Sequence, residues 1–136
     1  MNKILVEVSV GELLDKISIL EIKSEKIKDP EKLNFIIDEY NILKDQLNTN
    51  IKNYSEIETL YNSLKEINSK LWVIEDDKRL CEKNSDFGEK FIKLSRDVHF
   101  LNDDRAKIKL EINIYTGSKI KAVSYTHLTL PTSFEV

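Results

Sequence analysis

The chain has 136 residues, 40% hydrophobic and 33% charged, with 21 basic against 24 acidic side chains and a formal net charge of -3. Its three Gly and two Pro fall far below the roughly 12% that the two supply in an ordinary protein. One domain of a few long helices is expected, and an all-β sandwich or a Gly-rich nucleotide fold is excluded.

Charge is evenly mixed and Arg79, Arg96 and Arg105 are the only arginines, so no basic footprint for nucleic acid exists. The lone Cys81 cannot form an intramolecular disulfide, which fits a reducing compartment and a cytoplasmic location. No apolar run approaches the ~20 residues that span a bilayer. The opening Met1–Val10 segment is too short and acidic for a signal peptide.

Ile4, Val6 and Val8 alternate with Leu5 and Glu7, which predicts a short β arm over 3–8. Ser9 with Glu12 forms a capping box that opens a helix over about 10–28, striped by Val10, Leu13, Leu14, Ile17, Leu20 and Ile27. Asp29-Pro30 supplies an N-cap and a proline at the first helical position. The helix it starts, about 30–48, carries Leu33, Ile36, Ile37, Tyr40, Leu43 and Leu47. Ser55 with Glu58 opens a third helix, about 55–83, whose apolar residues from Ile57 to Ile74 recur at the alternating three and four of a coiled coil. Asp86 with Glu89 marks a fourth, about 86–116, with Phe87, Phe91, Leu94, Val98, Leu101, Ile108 and Ile112 on one side and Gly117 as its C-cap.

Short connections between such segments predict an antiparallel, up-down four-helix bundle. At ~1.5 Å per residue the last two helices would be near 45 Å long and overhang the first two. The segment from Val123, VSYTHLTLPTSFEV, has Glu135 as its only ionised side chain and no helical period. SYTHLTLPTS resembles a translated sequencing-adaptor read-through, so the domain is placed in 1–122 and 123–136 is set aside as non-native, disordered or extended. A genuine β-prone C-terminal strand is the alternative. His127 is discounted as a ligand in either case.

Polar residues interrupt the apolar stripes. Glu21 stands on the first helix, Asn68 and Glu75 on the third, and Arg105 on the fourth. Antiparallel neighbours pair at a constant index sum, which carries the level of Arg105 through about Lys65 and Asp38 to Leu20–Glu21. Glu21 and Arg105 are therefore expected to meet as a buried bidentate pair, with Asn68, Asn102 and Tyr61 within about a turn. An unpaired buried charge is costly, and Arg can fork onto one carboxylate. Such a layer either sets helix register or, with Lys16, Asn102 and Lys109, lines a pocket for a small anionic ligand in which Glu21 serves as acid or base.

A second polar cluster, Trp72, Glu75 and Arg79, lies in LWVIEDDKR. There Trp72 is either a core edge or a binding platform, and Glu75 with Arg79 forms an i,i+4 pair. HExxH, ExxH, CxxC, GxSxG and phosphate-loop motifs are all missing, so no metal site or cofactor is expected and an enzyme is disfavoured. Glu21, Glu25 and Glu75-Asp76-Asp77 fit the magnesium site of an all-α nucleotide pyrophosphohydrolase poorly. The first helix offers Lys16 and Lys23 but no Arg for a chorismate-mutase-like dicarboxylate site.

The blocks ILVEVSVGELLDKISILEIKSEKI, LWVIEDDKR and DFGEKFIKLSRDVHFLNDDRAKIKLEIN resemble a family of small, mostly bacterial proteins classed as a domain of unknown function, over nearly all of residues 3–118. The resemblance carries over Asp15, Lys16, Glu21, Lys23, Trp72, Glu75, Arg79, Arg96, Asn102, Asp103, Arg105 and Lys109 as positions of the family pattern. It implies proximity or fusion to glycosyltransferase or tetratricopeptide modules and hence a setting in cell-surface glycan assembly, without an activity. Together these observations predict a self-associating helical interaction module, homo-oligomeric or bound to a protein partner. Binding of a small anionic ligand is the alternative.

Overall fold

The computed structural model describes residues 3–52 and 54–117, so the adaptor-like tail lies outside the described residues. Four helices occur in order: α1 (Val10–Lys26), α2 (Pro30–Asn50), α3 (Tyr54–Lys83) and α4 (Glu89–Thr116). No strand occurs among the described residues.

Local chemistry accounts for most of the boundaries. Ser9 is extended and its Oγ accepts the Glu12 N–H at 3.2 Å, starting α1. At the other end Ile27 turns extended and α1 stops at Lys26, slightly short of the expected Lys28, because Asp29 must already be non-helical ahead of Pro30. The Asp29 carboxylate accepts the Glu31 N–H at 3.1 Å. α3 closes in a Schellman arrangement: the Asp86 N–H bonds the Cys81 carbonyl at 2.8 Å, the Ser85 N–H bonds that of Glu82, and Ser85 itself is left-handed at φ 54°. Gly117 caps α4 in the same region at φ 67°.

Three sequence expectations are corrected. Residues 3–9 carry no regular structure, and Ile4, Leu5 and Val6 stand exposed; an alternating segment becomes a strand only when another strand answers its backbone groups, and the described residues provide none. The Asp86–Glu89 box does not cap α4: Asp86 Oδ1 accepts the Gly88 N–H at 3.3 Å, and the helix begins beyond it at Glu89 with Gly88 as cap. Nor does Ser55 open α3, which already runs from Tyr54.

α1 packs against each of the other three helices, and α3 packs along α4. The core gathers Leu14 and Ile17 of α1, Leu47 of α2, Ile57, Tyr61 and Leu64 of α3, and Ile112 of α4. Burying a side chain of this size contributes about 1.5–3 kcal/mol. α3 and α4 run antiparallel: Lys78 Nζ lies over the Phe91 ring near the turn, and Val73 stands level with Asp97 farther along.

α1 lies obliquely over this hairpin. From Asp15 to Glu25 it advances ~15 Å, while the hydrogen bonds that Asp15, Ser18, Glu21 and Glu25 accept from α3 come from Tyr61, Lys65 and Asn68. The hairpin is much longer than α1 and projects with Val73, Leu80, Phe87, Ile92 and Phe100 exposed.

Glycine allows the closest approach of α1 to α4. The Gly11 N–H bonds Asn113 Oδ1 at 2.7 Å, and a Cβ on Gly11 would stand 2.6 Å from the Lys109 carbonyl oxygen. That oxygen belongs to a helix backbone and cannot swing aside as a side chain would. Gly11→Ala is expected to lower stability by about 1–3 kcal/mol in denaturant unfolding; an unchanged midpoint would contradict this contact.

Candidate functional site

Gly11, Asp15, Ser18 and Ile22 follow one another at helical spacing and are all buried. Three of the four are small or polar, which lets α1 come close to the hairpin and brings a carboxylate with it. Asp15 is the acid that meets Arg105. Arg105 Nε donates to Asp15 Oδ1 at 2.8 Å and its Nη2 donates to Asp15 Oδ2, with the two side chains 3% and 6% exposed.

Further polar groups converge on this pair. Asn68 Nδ2 donates to Asp15 Oδ1 at 2.9 Å and to Ser18 Oγ at 2.7 Å, while Ser18 Oγ donates to the Asp15 carbonyl. Lys109 Nζ lies 2.5 Å from Glu12 Oε1 and 3.7 Å from Asp15 Oδ2. Two acids of α1 thus face two bases of α4, and the charges cancel within the layer. The arrangement suits a lock between helices, because a buried pair resists separation strongly once either partner would be left alone.

Glu21 is not part of this layer, which corrects the expected Glu21–Arg105 pair. Its carboxylate accepts the Tyr61 hydroxyl at 2.5 Å and the Tyr40 hydroxyl at 3.4 Å, and Lys65 Nζ lies 2.9 Å away. Carrying a level through the helices by constant index sum holds only for rods lying side by side. Because α1 crosses α3, the acid under Arg105 lies more than a turn nearer the N-terminus.

Burial alone would raise the Glu21 carboxyl; the Tyr61 hydrogen bond, then the bond and charge of Lys65 and the charge of Lys44, outweigh it and hold the group below its ordinary 4.5. The Tyr40 phenol is pushed up, first by burial and then by the Glu21 charge. The Lys65 ammonium is also raised, chiefly by its hydrogen bond to Glu21, with burial opposing and Glu25 adding to the shift.

The remaining predicted residues are dispersed. Lys16 points toward α2, where Nζ lies 3.4 Å from Glu39 Oε1, and its side chain is 64% exposed. Asn102 is buried near Arg105, and its Oδ1 has no hydrogen-bond partner among the described residues. Trp72 and Glu75 are partly buried on the projecting hairpin and Arg79 is exposed; no ion pair joins Glu75 to Arg79 among the described residues.

Two hollows lie on the hairpin itself. One, about 670 Å³, runs between α3 and α4 over Val73, Ile74, Phe100 and Leu101, rimmed by Glu66, Lys70 and Asp97. The other, about 450 Å³, follows α4 past Phe91, Ile92, Arg96 and His99 and shares Phe100 with the first. Neither is lined by Arg105.

The model of the family of unknown function DUF6165 matches residues 4–133. The chain belongs to that family. The DUF6165 match spans all four helices and continues past Val123. No curated protein and no solved structure gives a match. Among the described residues of this DUF6165 chain, no group of three or more His, Cys, Asp or Glu side chains could hold a metal ion, and no helix is long and apolar enough to cross a membrane.

A carboxylate held below its ordinary range stabilises the fold above that range, and the stabilisation is lost as pH falls through the folded value. The stability deficit of Glu21→Gln is therefore expected to be present at about pH 7 and to shrink below about pH 4.5, read by denaturant unfolding across pH. Lys16→Ala should stay within about 0.5 kcal/mol of the parent. An equal Glu21→Gln deficit in acid and at neutrality would count against the hub.

Proposed function

We propose that this chain is a helical interaction module that associates with itself through the projecting α3–α4 hairpin. One observation carries this reading: the hairpin is far longer than α1 and presents an apolar groove to solvent, with Val73 and Phe100 exposed and Ile74 and Leu101 half-buried beside them. Two packed helices have an outer face as well as an inner one, and contiguous exposed apolar surface of this kind marks an interaction site. The unpaired arm with Ile4, Val6 and Val8 adds more apolar surface near the start of α1.

The module would work in the cytoplasm as one helical domain within residues 1–122. The family resemblance adds surface-glycan assembly as its setting. The alternative, a small anionic ligand held by Lys16, Glu21, Asn102, Arg105 and Lys109, has less in its favour. Arg105 and Lys109 already face Asp15 and Glu12, and Lys16 faces Glu39 on another side of α1.

Light scattering of the full chain at about 100 µM, a concentration that populates even modest dimers, should return a mass above one chain. Val73→Glu combined with Phe100→Glu should return it to one chain with helicity unchanged. A one-chain mass for the parent would overturn the proposal.

A further inference from the structure

The charges beside the hairpin groove have an order that suits one particular partner. On α3, Glu66, Lys70, Val73, Asp77 and Leu80 follow one row at helical spacing, and the first three line the groove. Lys70 stands one turn before Val73 and Asp77 one turn after it. On α4 the equivalent row holds Lys90, Lys93, Asp97, Leu101 and Asp104, of which Asp97 and Leu101 line the same groove. Here Lys90 stands two turns before Asp97 and Asp104 two turns after it.

Lys70 and Asp77 on α3, and Lys90 and Asp104 on α4, thus flank a midpoint with the base before it and the acid after it, Glu66 at the start of the α3 row being paired with Lys70. Both midpoints lie at one level of the hairpin, since Val73 and Asp97 face the same hollow. A single two-fold axis at that level, perpendicular to the helices, satisfies both rows. It lays α3 antiparallel on α3 of a second copy and α4 on α4, so that Lys70 meets Asp77 and Lys90 meets Asp104, each twice. The apolar floors of the two hairpins then close on each other as the centre of a four-helix layer, which is the isologous interface that closed dimers use.

The charges nearest the axis do not oppose this docking. Asp97, which would approach its own copy, is neutralised by Lys93 at 2.7 Å. Lys70 lies 3.6 Å from Glu66 in an exposed i,i+4 pair, and such pairs contribute only a few tenths of a kcal/mol, so Lys70 is readily shared with an acid across the interface. Lys90 and Asp104 are exposed.

We infer that the partner of the groove is the same groove of a second copy, docked antiparallel about a two-fold axis at Val73 and Asp97 with Lys70–Asp77 and Lys90–Asp104 pairs across it. This rests on the self-association proposed above and specifies its geometry.

The test is charge exchange on the full chain, read by sedimentation velocity over a concentration series. Lys70→Asp alone and Asp77→Lys alone should each weaken dimerisation by at least about tenfold, because like charges then face each other across the axis. The double variant should recover most of the loss. Lys90→Asp, Asp104→Lys and their combination form a second, independent set with the same expected pattern. Lys70, Lys90 and Asp104 are exposed and Asp77 is half-buried, and circular dichroism should stay unchanged.

If the parent dimerises but single reversals have no effect, or the double variants do not recover, this docking geometry is overturned while self-association stands. If the parent remains one chain, both are overturned.

Discussion

A single buried ion pair decides where everything else in this fold lies. Asp15 and Arg105 are almost without solvent, and the guanidinium forks onto both carboxylate oxygens. Sliding α1 by one turn would leave both charges buried and unanswered, at a cost of several kcal/mol per ion. Neutral contacts reinforce the same level: the Gly11 N–H on Asn113 toward one end of α1 and Asn68 between Asp15 and Ser18. α1 is held there, and α2, which buries only Ile36 and Leu47, is seated against it.

Exposure of the hairpin follows from that placement. α1 has 17 residues against 30 in α3 and 28 in α4, so a helix pinned near Arg105 cannot also cover the far half of the pair. Leu64 is the last residue of α3 in the core that α1 shares, and beyond it Leu71 and Cys81 are buried while Val73 and Leu80 are exposed. In this layer Arg105 is paired with Asp15 and Lys109 with Glu12, and by fixing α1 the layer determines which apolar surface of the hairpin stays exposed.

Much of this was legible in the sequence because it is local. Ser9 with Glu12, Asp29-Pro30 and Gly117 mark helix ends through bonds spanning a few residues, and the apolar stripes locate the helices. The interrupted stripe at Arg105 correctly signalled a buried charge answered by an acid of the first helix. Which acid depended on an angle between helices, and periodicity carries no angle. The unused clue was the row Gly11, Asp15, Ser18, where small residues permit a close crossing and place a carboxylate at its centre. Tyr61 lies beside Glu21 as expected, but its bond to that carboxylate belongs to a separate hub with Tyr40 and Lys65. The arm misled because alternation reports only a side chain's two faces, whereas a strand also requires a second backbone.

The most direct measurement is a double-mutant cycle on Asp15 and Arg105, using Asp15→Leu, Arg105→Met and the two together, with unfolding free energies from denaturant titration. Each single variant strands a buried charge and should lose about 3–5 kcal/mol, while the double variant, with an apolar pair in place of the ions, should recover a large part of that loss. Additivity of the two single effects to within about 0.5 kcal/mol would contradict the claim that this pair holds α1 in place.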